Sequence, residues 1–342
     1  MMENKALPSI VVWSWAAQIS NSGEHFEQLL KEKLPSVYIK VFDSTVTNFD
    51  EESLEIWKKA EVVVLSPNLY EKFCELRTPK LRWLQFTSAG VDKFLRHAKK
   101  CGIQHLPYKV TRLADTYGTT MAEYVIAQIV SNERRFEAMR EAQKHCHWNH
   151  KEFRFYRRLN QLTIGIVGAG SIGEEVARCC KCFGMKTIGL VRQERPQEKR
   201  SKFIDMYRVG TDELPLLVAE SDYICSILPD CPETTDFFKG DIFSHATKKP
   251  VFMNIGRGNC IEDDTIITSI RKGWLSGAII DVTRPEPLPK ESRLWSVPEV
   301  IITPHTSGVV SDELIISNFY ENWKKFVNNE TLDHLVDVTK SY

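Results

Sequence analysis

Apolar, β-rich runs alternate with amphipathic stretches along nearly the whole chain, and the alternation predicts strands separated by helices. In the first third the runs are Ile10-Val11-Val12-Trp13, Val37 to Phe42, Val62-Val63-Val64-Leu65 and Leu81 to Phe86, with helical spacing at Glu24 to Leu34 and Leu54 to Lys59. This β-α-β-α rhythm implies a parallel sheet with helices on both faces. From Thr119 the pattern changes to one long amphipathic helix, Met121 through about Gln143. A second alternating series follows, with strands at Leu162 to Val167, Thr187 to Val191, Tyr223 to Leu228, Val251 to Ile255, Ala278 to Asp281 and Val300 to Thr303. Six parallel strands, the first opening into a glycine-rich turn, describe a dinucleotide-binding domain. A last helix, Asp312 to Val327, precedes Leu335-Val336-Asp337, and no short repeat or low-complexity linker interrupts the series. Trp13, Trp15 and Trp83 border predicted strands and are expected in the core or lining a cleft.

Composition narrows the class. A chain of 342 residues is too long for one compact core and suits two domains. Hydrophobic residues make up 42% and charged residues 26%, which describes an ordinary globular protein. A formal net charge of zero argues against charge-driven binding to nucleic acid or membrane, so neither partner is expected. No apolar run is long enough to span a bilayer, and Met1-Met2-Glu3-Asn4-Lys5 does not open a signal peptide. Nine cysteines, an odd count spread mostly through apolar segments, read as reduced thiols, and a cytoplasmic location is expected. Cys179, Cys180 and Cys182 fall in one predicted helix and read as small buried residues. His145-Cys146-His147 with His150 has the composition of a metal site but the spacing of no zinc motif, so no metal is expected.

Gly168-Ala169-Gly170-Ser171-Ile172-Gly173 follows a predicted strand and precedes the helical run Glu174 to Cys182. The first glycine permits a tight turn, the second lets backbone approach a pyrophosphate, and the third lets the helix pack on the strand. Amides at the helix start, from Ser171 and Ile172 onward, would hold the phosphates. The following strand ends at Val191-Arg192, 19 residues beyond Gly173, where an NAD enzyme usually carries an acid for the ribose hydroxyls. An arginine cannot accept those bonds but pairs with a 2′-phosphate. Arg192, with Arg195 and Lys199 close by, therefore predicts NADP(H) as the preferred cofactor, NAD(H) remaining usable.

Three later segments each place chemistry just past a predicted strand: Asn254-Ile255-Gly256-Arg257-Gly258, Asp281-Val282-Thr283-Arg284-Pro285-Glu286-Pro287-Leu288 and Thr303-Pro304-His305. Arg257, between two glycines, can hold a carboxylate bidentately. His305 has the side chain suited to giving or taking a proton near neutrality, and Glu286 can fix its tautomer. Together they predict a redox site for 2-keto and 2-hydroxy acids.

The order Arg257, Glu286, His305 after the fingerprint resembles the D-isomer-specific 2-hydroxyacid dehydrogenase family, over nearly the whole chain. Met121-Ala122-Glu123-Tyr124-Val125-Ile126 and the basic residues after the second strand look closest to its NADPH-dependent glyoxylate and hydroxypyruvate reductases. The resemblance implies two doubly wound α/β domains with a cleft between them. One is a flavodoxin-like substrate-binding domain, 1–112 completed by 313–342; the other is a Rossmann-type cofactor domain, 113–312. It assigns Arg257 to the substrate carboxylate and keto oxygen, and the backbone of Ala89 and Gly90, in Thr87-Ser88-Ala89-Gly90-Val91-Asp92, to the same carboxylate. Leu228, Pro229 and Thr234 would run alongside the cofactor, with Ile255 and Gly256 nearby and Asp281 near the nicotinamide carboxamide. Leu69 and Tyr70 are weaker candidates for a substrate wall. A homodimer is expected, with Trp148 bordering the partner's site.

Two other readings fit the same motifs. D-3-phosphoglycerate oxidation is disfavoured by Arg192 and by the lack of a long C-terminal regulatory extension. A non-enzymatic nucleotide-sensing corepressor or scaffold is disfavoured by the lack of a disordered extension or basic patch.

Overall fold

The structure, a computed structural model, describes residues 7–14, 23–46 and 48–340. Trp15 lies outside them. The chain divides into two compact units, residues 1–116 with 310–342, and residues 117–309.

In the first unit five parallel strands, β1 (Ile10–Ser14), β2 (Ile39–Asp43), β3 (Val62–Leu65), β4 (Trp83–Phe86) and β5 (Lys109–Thr111), stand in the order β2-β1-β3-β4-β5. Strands β1, β3 and β4 are buried at every position, as expected where helices cover both faces of a parallel sheet. The outermost β2 mixes buried and exposed positions. Strand β5 was not expected from hydropathy; three residues carry too little alternation to stand out. Trp13 and Trp83 are core residues, 1% and 0% exposed. Leu69 and Tyr70 are also core, 4% and 2% exposed, with Tyr70 packed edge-on against Phe94 at 4.7 Å; as buried groups they form no substrate wall.

The C-terminal segment joins this unit for a physical reason. Phe319 of the helix Asp312–Val327 stacks on Trp83 at 5.0 Å, and Val336 donates its amide to Val110. Leu335 bridges Thr111 antiparallel to the sheet.

In the second unit seven parallel strands, β6 (Thr163–Val167), β7 (Lys186–Val191), β8 (Met206–Val209), β9 (Tyr223–Ser226), β10 (Val251–Asn254), β11 (Gly277–Ile280) and β12 (Val300–Ile302), take the order β12-β11-β10-β9-β6-β7-β8. The seventh, β8, corrects the expected six. It is an edge strand with no buried residue, so no apolar run announced it. The order reverses between β6 and β9, which places the glycine turn after β6 at the point where such sheets bind nucleotides.

The single long helix expected from Met121 to Gln143 is two, Gly118–Arg134 and Phe136–Lys144. Arg135 breaks it in a left-handed conformation, φ 56, and its guanidinium pairs with Glu152 at 2.8 Å and lies over Phe153. The second piece buries no residue, so continuing the first helix would gain no core. The helix after the fingerprint begins at Ser171 and buries only Cys180 of its three cysteines; Cys182 is exposed, because helical periodicity turns it off the sheet.

No helix among the described residues is long and apolar enough to cross a membrane.

Candidate active site

The glycine turn has the geometry its sequence demands. Gly168 sits at φ 92, and a β-carbon there would lie 2.9 Å from the Ile227 carbonyl oxygen. A β-carbon on Gly173 would meet the Gly168 carbonyl oxygen at 3.0 Å, so this glycine lets the helix seat against the turn. Above Gly170 there is nothing within 4 Å, the open space that a pyrophosphate approaching backbone requires. The helix Ser171–Cys182 starts there with its first amides outside the intrahelical ladder. These residues fit a dinucleotide.

The two arginines beyond β7 differ. Arg195 is committed: its guanidinium donates to the Ala169 carbonyl oxygen at 2.7 Å and pairs with Glu174 of the first helical turn. It thereby ties the turn to the helix. Arg192, directly after β7, is exposed. Thr234 is likewise committed inside its own loop. Its hydroxyl lies 2.6 Å from the Pro229 carbonyl oxygen and accepts the Cys231 amide at 3.1 Å, which leaves it a loop-shaping residue rather than an outward polar contact. Leu228 is buried beside it.

Arg257 leaves β10 in an extended conformation, and two neighbours explain its loop. Asn254, fully buried, donates from its side-chain amide to the Arg257 carbonyl oxygen at 3.0 Å and accepts the Gly256 amide. A β-carbon on Gly256 would lie 2.6 Å from Leu228 backbone, and one on Gly258 would lie 2.2 Å from the Thr283 carbonyl carbon. Only glycine at 258 lets the Arg257 loop press against the segment that carries Glu286. Ile255, directly after β10, is buried. Half-buried Tyr117, which belongs to no motif along the chain, also stands near Arg257. Burial pushes its hydroxyl up to about 12, and the arginine's charge pulls the other way.

His305 Nδ1 lies 2.9 Å from Glu286 Oε2, the pair being about half exposed. With Nδ1 donating, the ring presents Nε2 for proton exchange. The other Glu286 oxygen accepts the Thr283 amide at 3.1 Å. Burial alone would raise the Glu286 carboxyl, but the bond and charge of His305, the Thr283 amide and the charge of Arg257 outweigh it and hold it below the ordinary glutamate range. Arg257, Glu286 and His305, about 50 residues apart in sequence at their widest, therefore share one electrostatic site at the carboxyl ends of β10, β11 and β12.

Asp281, 2% exposed, is bonded throughout to the His305 loop. Its carboxylate accepts the Thr303 hydroxyl at 2.6 Å and the Thr306 and Ser307 amides at 2.9 and 3.0 Å. In the first unit, the loop after β4 turns its carbonyls inward. Gly90 O accepts the Ser88 hydroxyl, Ala89 O accepts Arg112, and Ser88 O accepts the Leu113 amide. The amides of Ala89 and Gly90 have no such partner among the described residues. Neither do the described residues hold a group of three or more His, Cys, Asp or Glu placed to bind a metal ion.

A doubly wound sheet with an open glycine turn at its switch point, beside an arginine and a histidine–carboxylate pair, defines a dinucleotide-dependent oxidoreductase. The chain belongs to the D-isomer specific 2-hydroxyacid dehydrogenases: the family's NAD binding domain matches residues 126–307, more than half of its length. It is 29% identical over 299 residues to glyoxylate/hydroxypyruvate reductase B of Escherichia fergusonii, covering 83% of this chain and 89% of that one. It is 32% identical over 225 residues to glyoxylate/hydroxypyruvate reductase A of an Enterobacter species, covering 65% and 69%. Among solved structures, a D-isomer specific 2-hydroxyacid dehydrogenase family protein from Aeromonas salmonicida superposes with a TM-score of 0.82 at 29% identity, over 97% of this chain and 99% of that one. The NADPH-dependent glyoxylate/hydroxypyruvate reductase of Sinorhizobium meliloti, in complex with NADP and sulfate, superposes with a TM-score of 0.78 at 26% identity, over 98% and 100%. The protein is thus an NAD(P)-dependent 2-hydroxyacid oxidoreductase.

Proposed function

We propose that the protein reduces a small 2-keto acid of the glyoxylate or hydroxypyruvate type to the D-2-hydroxy acid, with NADPH preferred over NADH. The observation that carries this reading is the His305–Glu286 contact at 2.9 Å with Arg257 close enough to act on the same carboxylate. When bound, the nicotinamide supplies the hydride that adds to the carbonyl carbon. His305 Nε2 gives its proton to the carbonyl oxygen, which becomes the product hydroxyl. Glu286 orients the ring and stabilises the imidazolium that precedes transfer. Arg257 pairs with the substrate carboxylate and polarises the keto oxygen.

The cofactor preference rests on Arg192. Because Arg195 is occupied by Glu174 and Ala169, Arg192 is the exposed cation left at the end of β7 for a 2′-phosphate. Oxidation of NADPH and of NADH should be followed with glyoxylate, hydroxypyruvate, pyruvate and phenylpyruvate. Turnover with NADPH is expected to exceed that with NADH, and Arg192→Ala should raise KM for NADPH about tenfold, as expected for one lost charge-assisted bond, while leaving that for NADH unchanged. Faster turnover with NADH would sink the assignment of Arg192 and leave the proton-transfer site intact.

The protein's assembly as a homodimer fits the segment after the broken helix. Trp148 is 92% and Phe155 71% exposed, while Arg157 anchors that segment to Glu133 and to Asp222, the latter at 3.0 Å. Sedimentation should give twice the 39.4 kDa chain mass, and Trp148→Glu with Phe155→Glu should return it to one; a monomeric wild type would refute the dimer. Nine free thiols suit a reducing cytoplasm.

A further inference from the structure

The turn that carries His305 is held by bonds from outside it. His305 sits at φ 54, in the left-handed region that a residue with a side chain keeps only where its surroundings over-determine it. The surroundings here are Asp281. Its backbone oxygen accepts the His305 amide at 2.9 Å, and its carboxylate takes the Thr306 and Ser307 amides. The same carboxylate also accepts the Thr303 hydroxyl, 2.6 Å away.

Thr303 has one hydroxyl proton, and a carboxylate can only accept it. The 2.7 Å contact between Thr303 Oγ1 and Tyr124 Oη must then be donated by the tyrosine. The direction of the chain is fixed: Tyr124 to Thr303 to Asp281. Burial raises the Tyr124 hydroxyl to about 12, with the Thr303 bond opposing it, so the donor keeps its proton throughout the neutral range. Tyr124 stands on the helix Gly118–Arg134, which packs along the helix Ser171–Cys182. A rigid element far from His305 in sequence thus holds the near side of its turn.

We propose that Tyr124 and Thr303 are positioning residues for His305. Their hydrogen-bond chain holds the Asp281 carboxylate in register with the 303–307 turn, and so sets the reach of His305 Nδ1 to Glu286. The inference rests on the proton-donor role given above to His305.

Tyr124→Phe and Thr303→Val each delete one hydroxyl at nearly constant volume. Each should lower kcat five- to twentyfold, with KM for the keto acid and NADPH affinity within twofold of wild type. The double variant should be no worse than the poorer single variant, because one chain is cut either way. Backbone hydrogen exchange at Thr306 and Ser307 should quicken in Tyr124→Phe, while the melting temperature holds to within a few degrees. Unchanged kcat in both variants, or losses that multiply in the double variant, would overturn the proposal. Absence of turnover by the wild type would refute the proton-donor reading instead, and exchange at Thr306 and Ser307 would then decide the chain: faster in Tyr124→Phe supports it, unchanged overturns it.

Discussion

His305→Asn is expected to lower kcat for keto-acid reduction by about 10²–10⁴-fold, the usual contribution of a positioned general acid, while NADPH binding stays unchanged. Asparagine can still donate from its amide toward Glu286, but it has no proton to give a carbonyl oxygen at neutral pH. The loss should therefore appear in kcat rather than in KM. Steady-state rates with a fluorescence titration of NADPH test this, and a variant that keeps more than a tenth of wild-type kcat would remove His305 from the proton-transfer role. The pH dependence has a definite sign. Glu286 titrates below its ordinary value of 4.5 when folded, so its pairing with His305 is fully present above 4.5 and is lost only as pH falls through the lowered value. Reduction should weaken as pH falls below the ordinary glutamate range, where a protonated Glu286 no longer orients the imidazole, and the Glu286→Gln variant should lack that acid limb. An acid limb identical in wild type and Glu286→Gln would show that the carboxylate does not orient the histidine.

The second large effect is expected at Arg257. Arg257→Gln removes both the charge and the planar fork, and kcat/KM for a 2-keto acid should fall about 30- to 1,000-fold, equivalent to ~2–4 kcal/mol for an unpaired carboxylate in a partly desolvated site. Arg257→Lys keeps the charge and loses the bidentate geometry, so an intermediate loss of about tenfold is expected. The gradation separates charge from geometry. Equal losses in both variants would assign the whole effect to the fork, and no loss in either would show that the substrate carboxylate is bound elsewhere. Because Asn254 holds the Arg257 carbonyl at 3.0 Å, the loop itself should survive both substitutions, and unaltered NADPH affinity is the control.

Much of the parallel architecture was legible because its signals are local. The runs at Val62–Leu65 and the helix at Asp312–Val327 have a single period over their whole length, and the structure keeps those bounds. Strands β5 and β8 were not legible, since a three-residue strand and an edge strand without buried residues leave no run of apolar positions. The helix break at Arg135 was hidden for another reason. Arginine is a good helix former, and its contacts at the break, to Glu152 and Phe153, lie 17 and 18 residues on. The site was legible in its chemical groups. Arg257, Glu286 and His305 could be picked out as chemistry, and Gly168, Gly170 and Gly173 as a turn, since residue type and spacing carry both.

Sequence by itself determined the strongly periodic elements and the chemical groups the chain offers, because hydrophobic period and turn chemistry are written over a few adjacent residues. Tertiary structure alone decided which groups are already spoken for. Arg195 and Arg192 read alike along the chain, yet one is bound to Glu174 and Ala169 and the other stands exposed. Thr234 and Asp281 read as cofactor contacts, yet their polar atoms are taken up by their own loop and by the His305 turn. Tyr124 gained its role only when its helix was packed beside Thr303, 179 residues on. A hydrogen bond has a direction and a limited number of partners, and the competition among them is settled in space rather than along the chain.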